Sequence, residues 1–496
     1  MTTLEFAVAP ADVLALSRFP CLHRIGRATA VQLLLHDTPS GELAGRALTA
    51  CQEQGLWRIE ALQPGPAPWP PATPTPVLAE AATPRLLDLD TATLVPIAAF
   101  NGQRRRYVVE GDVPVQLAVL SGALRGVAAE LPVCRVTLHG PGPAVHACAT
   151  AIARLIHLTV PRAGLGAQAV AVARGQDVPA RHLGAPVVVP GQALTDSIAL
   201  IVGQLLDVML YWSGPACAGA TPLAVHQMRV ATRRLRSALS IFKHVAPCGP
   251  TTALAPALRD LATCLGSARD WDVFLGGTGA QIQTLFPDDR RVRTLLASAA
   301  RHREGAYVAL RAYLTGPVFR ELEVALGCTA ALRPWDDAQP VTQPSTPPGP
   351  LQPGPSQPGP LQQDTSVFAT AILTRRHRRV QKAGRHIRTL PVVALHELRK
   401  DCKRLRYAAE FFQPLFPDKP GRKFIRKLAA LQEELGMLND GAVASGLMSH
   451  LGRIERSYAA GLVGGFVAAN SEHLRSGIGE AWHRFRASPA FWHPPA

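Results

Sequence analysis

Val225-His226-Gln227-Met228-Arg229 followed by Arg233-Arg234-Leu235-Arg236 returns 170 residues later as Leu395-His396-Glu397-Leu398-Arg399 followed by Lys403-Arg404-Leu405-Arg406. A third pair keeps the same offset: Leu265-Gly266 with Arg269-Asp270, and Leu435-Gly436 with Asn439-Asp440. Three motifs in one order at one spacing mark an internal duplication, and stacked copies of a helical unit bury the face that neither can bury alone.

Helical geometry sorts these residues. At about 100° per residue, with His226 at the origin, Arg233, Arg229, Arg236 and Lys243 follow within about 100° on one side. Leu235, Met228, Leu239 and Phe242 gather opposite. The second copy places His396, Arg399, Lys403 and Arg406 on one face and Leu398, Leu405 and Phe412 on the other. Arg234 and Arg404 lie to the far side of each stripe. No acid interrupts the first stripe between His226 and Lys243. A solvated helix face ordinarily mixes signs, because like charges at i+3 and i+4 repel. A matched pair of such stripes is therefore read as a surface for an anion.

Other basic segments join the set. Residues 375–388 hold seven Lys and Arg and two His without an acid. Arg375, Arg379, Lys382 and His386 share a face at helical spacing. Arg422, Lys423, Arg426 and Lys427 follow. Arginine forks match phosphate oxygens in bidentate fashion, and lysine adds a mobile point charge.

The composition agrees. The chain has 496 residues, 47% of them hydrophobic, which excludes global disorder. It carries 52 Lys and Arg against 36 Asp and Glu, a net charge of +16. Residues 1–189 contain 15 Arg, no Lys and 13 acids; the first lysine is Lys243. The basic function thus belongs to the C-terminal part, which carries +14. The nine cysteines are scattered with no C-x-x-C pair, against zinc or a disulfide framework and in favour of reduced, packed thiols in a cytoplasm. No N-terminal signal is visible. The apolar run Ile198–Trp212 is read as too short to span a bilayer, and it contains Asp207.

Two proline-rich stretches, Pro64–Pro76 and residues 334–363, are expected to be loops or linkers. Before residue 150 short β-like runs dominate: Ala30–Leu35, Tyr107–Val109, Val113–Val119 and Pro132–Leu138, then a helical stretch at Ala144–His157. From Leu194 the period becomes helical, at Leu194–Tyr211, Ala224–His244 and Ala253–Leu275. The expected fold is multidomain: an α+β part over 1–180 and an all-α part over 190–490, with an insertion at about 334–363.

The phrases VHQMRVATRRLRSAL, LHELRKDCKRLRYAAEFF and LGSARDWDVF resemble the CHAD family (conserved histidine α-helical domain) over roughly residues 190–490. The resemblance implies two helical bundles related by a pseudo-two-fold about a basic cavity. It also implies binding of inorganic polyphosphate there, in the cytoplasm and often at polyphosphate granules. The expected polyphosphate-binding set is His226, Arg229, Arg233, Arg234, Arg236, Lys243, Arg375, Arg379, Lys382, His396, Arg399, Lys403, Arg404, Arg406, Arg426 and Lys427. Two roles fit the histidines: donating to phosphate, or a structural hydrogen bond across the pseudo-two-fold.

The N-terminal part resembles a CYTH domain, the fold of triphosphate tunnel enzymes. Met1–Val8 matches its opening strand, Leu35-His36-Asp37-Thr38-Pro39 a Tyr-x-Asp-Thr-Pro region, and Val113–Gly122 and Leu131–His139 later strands. The implied fold is an antiparallel tunnel-like barrel. That family's chemistry requires a Glu-x-Glu-x-Lys opening, of which Thr3-Leu4-Glu5-Phe6-Ala7 keeps only Glu5. The expectation is a degenerate domain and a non-enzymatic protein, with no metal, no cofactor, no specific nucleic-acid partner and no membrane partner. A triphosphatase and a nucleic-acid binder are the alternatives; against the second, no aromatic platform accompanies the stripes.

Overall fold

The structure, a computed structural model, describes residues 1–62, 93–127, 129–161, 163–176, 184–219, 221–246, 248–336, 361–451 and 457–493. Pro64–Pro76 and most of the 334–363 stretch lie outside them. The chain divides into two compact units: Met1–Leu183 with Thr315–Pro334, and Gly184–Leu314 with Trp335–Ala496.

The first unit is an antiparallel sheet of seven strands: β1 (Thr2–Ala7), β2 (Leu22–Asp37), β3 (Leu48–Glu53), β4 (Leu56–Ala61), β5 (Val95–Val109), β6 (Val115–Gly126) and β7 (Glu130–Gly140). The order β1-β7-β6-β5-β2-β3-β4 leaves β1 and β4 as edges among the described residues, and the sheet curls into a half-barrel. Alternation decides its faces. Leu4, Phe6, Val119, Val136 and Leu138 are buried on one face, where α1 (Gly142–Leu155) packs on β1, β6 and β7. On the other, Val31, Leu33, Leu35, Phe100 and Leu124 form a core with Ala169 and Val172 of α2 (Leu165–Arg174). Gly102 and Gly122 oppose each other across β5 and β6. A Cβ on either would come within 2.7 or 2.8 Å of the Phe100 ring, so the glycines make room for that buried side chain.

The second unit is helical, and the 170-residue offset runs through it. Its first half holds α3 (Leu194–Ala218), α4 (Pro222–Phe242), α5 (Gly249–Phe274) and α6 (Arg290–Thr315, whose last residue falls in the first unit). Helix α7 (Pro317–Leu332) follows, and the second half holds α8 (Thr365–Ala383), α9 (Val392–Phe412), α10 (Asp418–Met448) and α11 (Tyr458–Arg486). Helices α4 and α9 pack on each other, as do α5 and α10. Phe242 and its repeat counterpart Phe412 meet edge to face at 6.4 Å, and Phe368 of α8 stacks on Phe242 at 5.8 Å. Equivalent residues touching each other place the pseudo-two-fold beside this aromatic trio.

Two expectations change. Helix α7 belongs to the first unit, although its sequence reads as part of the helical run. It packs on α1, and its buried Glu323 carboxylate accepts the Val160 N–H at 3.0 Å. The helix also extends further than Trp212: α3 has 25 residues, and its most apolar 18-residue window has a mean hydropathy of 1.5, long and apolar enough to cross a membrane. Its Ile198, Ile201, Val202, Leu205, Leu206 and Met209 are buried in this unit, against α4 and α8. A core helix covered on all sides is apolar all round.

Candidate functional site

Helix α4 carries the first stripe as the period predicts. Val225, Met228, Leu235 and Phe242 are buried, while His226, Arg229 and Arg233 are half-buried and Arg236 and Lys243 exposed. The Arg229 guanidinium lies directly on Gly266 of α5, where a Cβ would collide with it. It pairs with Asp270 at 3.6 Å. Burial lowers the Arg229 pKa; Asp270 opposes the shift, and Arg233, Arg269 and Arg399 add to it. Burial, then Arg269, Arg229 and Arg233, likewise lower the His226 pKa. Arg236 is lowered by burial, Arg259 and Arg233. The neighbouring arginines thus disfavour the charged forms of His226, Arg229 and Arg236, and an anion placed among them would relieve that repulsion.

Sequence reasoning omitted Arg259 and Arg269 from this cluster. Both lie on α5, and Arg269 stands in the LGxxRD motif itself. The duplication drew attention to positions shared by both copies, and Asn439 replaces the arginine in the second.

Helix α9 repeats the pattern with different neighbours. Arg399 lies against Gly436 of α10, as Arg229 lies on Gly266, but more loosely: a Cβ there would stand 3.5 Å from its Nη2. His396 is exposed and Lys403 buried. Arg406 and, from α4, Arg234 both reach Glu410, at 3.5 and 2.6 Å. Their guanidinium groups flank the Tyr407 ring at 5.7 and 5.9 Å. Buried Asp401 takes Arg404 at 3.0 Å and Arg379 of α8 at 2.7 Å. With Arg229 on Asp270, five of the sixteen expected phosphate ligands, Arg229, Arg234, Arg379, Arg404 and Arg406, are therefore engaged with carboxylates. Helical angles within one segment do not reveal this, because Glu410 meets Arg234 only across the helix packing.

Arg375 and Lys382 on α8 are exposed, as is Arg426 on α10, and Lys427 is half-covered. Together with Arg233, Arg236 and Lys243, they make no ion pair among the described residues. His386 leaves the expected face, because α8 ends at Ala383 and His386 precedes a short 3-10 turn. Arg376 is pulled down to about 10 by burial, then by Arg404 and Arg375. Its Nη1 donates to the Arg404 carbonyl at 2.6 Å.

In the first unit, Glu5 does not stand alone. Arg135 reaches it at 3.5 Å and donates to the Ala163 carbonyl at 3.0 Å and to Gln168 at 2.8 Å. Arg104 pairs with Glu53 at 2.8 Å, and Arg58 lies 3.5 Å from Glu53 and 3.6 Å from Glu60. Burial raises the Glu5 pKa, Arg135 and Arg58 lower it, and Glu60 raises it further. Glu53 and Glu60 were not singled out in the sequence, where they stand far from the opening motif. This network does not fit a divalent metal: each carboxylate already holds an arginine, and among the described residues no three His, Cys, Asp or Glu side chains converge on one point.

The CHAD domain model matches residues 200–449, half of the chain. Two Mycobacterium tuberculosis proteins, each described as uncharacterized (MT2285, strain CDC 1551 / Oshkosh, and Rv2226, strain ATCC 25618 / H37Rv), are 27% identical over 233 residues, or 44% of this chain. The match spans 39% of those relatives' own length. The crystal structure of the CHAD domain from the plant Ricinus communis aligns at a TM-score of 0.52 and 28% identity, covering 63% of this chain and 99% of that one. The duplicated histidine helices, the arginines seated on the glycines of the LG motifs and the match over residues 200–449 agree: the chain belongs to the CHAD domain family.

Proposed function

We propose that this protein binds inorganic polyphosphate in the basic region of its helical unit and does not turn it over. The observation that carries the reading is the crowding of Arg229, Arg233 and Arg269 around His226, where the positive charges lower the pKa values of His226 and Arg229. Such clustering destabilises the free protein unless a polyanion neutralises it, and a chain of phosphoryl groups matches several guanidinium forks at once. Family membership supports the same ligand. The first unit supports a binding role over a triphosphatase, since its carboxylates are held by arginines. The proposed setting is the cytoplasm, with association to polyphosphate granules.

The test compares long-chain polyphosphate with a DNA duplex of similar total charge at about 150 mM salt, where non-specific phosphate binding is weakened. Polyphosphate is expected to bind more tightly. Changing Arg229, Arg233, Arg399 and Lys403 together to Ala is expected to remove most of that affinity, with circular dichroism reporting the fold. Equal affinity for both polymers would replace the reading with general polyanion binding. In a parallel assay with Mg or Mn, no phosphate should appear from tripolyphosphate or nucleoside triphosphates; turnover that co-purifies with the protein would restore the triphosphatase alternative.

A further inference from the structure

We propose that the two halves of the helical repeat are unequal: a cleft built mainly on the first half, and closed by the end of α10, forms a discrete subsite for a short condensed-phosphate segment. This rests on the polyphosphate reading above and locates its tightest contact.

An open cleft of about 730 Å³ lies among α5, α6 and the end of α10. Arg229, Arg301, His302, His450 and Ser267 line it, with Asp270 as the acid among its lining residues. Its volume falls in the ~300–1,000 Å³ range of small-ligand sites, so it suits a few phosphoryl units rather than a long chain. Arg229 enters from its seat on Gly266. His302 is fixed by stacking on Trp271, with centroids 5.3 Å apart and planes 19° apart. Arg301 is exposed and makes no ion pair among the described residues. Arginine forks, imidazoles and a hydroxyl converging on one cavity form a donor set for phosphoryl oxygens.

The duplication does not reproduce this set. At the 170-residue offset, Arg301 becomes Ser471, His302 becomes Glu472, Ser267 becomes Met437 and Trp271 becomes Gly441. The acids of the two paired histidine helices differ as well. Asp401 and Glu410, which hold Arg379, Arg404, Arg406 and Arg234, stand where the first half has Ala231 and Ser240. The second half therefore commits Arg379, Arg404 and Arg406 to its own carboxylates, whereas in the first half the cleft keeps Arg301 unpaired among the described residues beside the pairs Arg229–Asp270 and Arg303–Asp272.

Calorimetry on the full chain tests this with two probes, tripolyphosphate and long-chain polyphosphate. One tripolyphosphate per chain is expected. Arg301→Ala with His302→Gln should weaken tripolyphosphate about tenfold or more, a shift calorimetry resolves readily, and long-chain polyphosphate much less. Arg375→Ala with Lys382→Ala, in the second half, should do the reverse. Arg301→Ala alone, at an exposed position, serves if the double variant loses its fold. Two equivalent tripolyphosphate sites, or a tripolyphosphate affinity indifferent to Arg301, would overturn the subsite. If the long polymer binds and tripolyphosphate does not, the subsite also fails while the function stands. If neither binds, the polyphosphate reading itself falls.

Discussion

Gly266 and Gly436 occupy the same place in the two copies, yet their surroundings make them unequal. A Cβ at Gly266 would collide with the Arg229 guanidinium, whereas one at Gly436 would rest in ordinary contact with Arg399. The colliding atom is the far end of a flexible side chain, so Gly266→Ala should fold and displace Arg229. Polyphosphate affinity is expected to fall about as much as for Arg229→Ala, while Gly436→Ala binds nearly as the parent; direct titration checks both. His226 yields a second prediction. Its pKa is lowered by burial and by Arg269, Arg229 and Arg233, so the unfolded chain holds its proton more tightly than the folded one. Stability from this group is present above the ordinary histidine value of ~6.5 and is lost as pH falls below it. A bound polyanion reverses the Coulombic part, so binding should take up protons near pH 6 to 7 and strengthen on acidification. Calorimetry in buffers of different ionisation enthalpy measures the uptake, and His226→Gln should reduce it. His226, Arg229 and Arg233 were legible in the sequence because a helix repeats every 3.6 residues, whereas Arg269 was not, since it reaches them from α5. The glycine's purpose was not, since it depends on which helix lies opposite.

At the scale of the element, α4 and α9 share one pattern and differ in what surrounds it. Their apolar faces, Met228 and Leu235 against Leu398 and Leu405, follow from periodicity and are buried as expected. The ion pairs do not follow from it, because they form between helices. Glu410 is the clearest case: it serves Arg234 from α4 and Arg406 from its own helix, and both guanidinium groups lie over Tyr407. Glu410→Gln leaves two partly buried cations short of a counter-charge at the helix contact. A loss of about 1–3 kcal/mol is expected, read from the urea midpoint. Glu397→Gln, which removes only the exposed contact to Lys400 at 2.8 Å, should leave the midpoint unchanged. Strand boundaries were less legible than helices. β2 and β5 run for 16 and 15 residues, where only Ala30–Leu35 and Tyr107–Val109 stood out. β2 has a largely exposed first half and β5 a polar middle, Asn101–Arg106; both break apolar alternation, and pairing with a neighbour extends the strands regardless.

Across the whole molecule, the duplication was the most informative feature of the sequence, because its single offset aligns α3 with α8, α4 with α9, α5 with α10 and α6 with α11. What it concealed was α7, whose helical period says nothing about which unit it joins. Phe319, Leu322, Val324, Leu326 and Cys328 are buried on this helix, which packs on α1. A fragment of residues 1–183 is therefore expected to expose that apolar face and bind a hydrophobic dye, and a peptide of residues 315–334 added in trans should suppress the signal. Dye binding indifferent to the peptide would count against α7 as a necessary part of that unit.

The position of α7 in the chain also sets an order on synthesis. The sheet and α1 emerge from the ribosome first, but the helix that covers α1 is translated only after α3 to α6, the first half of the repeat, have followed. That half must in turn await α8 to α11. Each unit is thus left incomplete while part of the other is being made, and nascent-chain folding becomes an interleaved process rather than one domain after another.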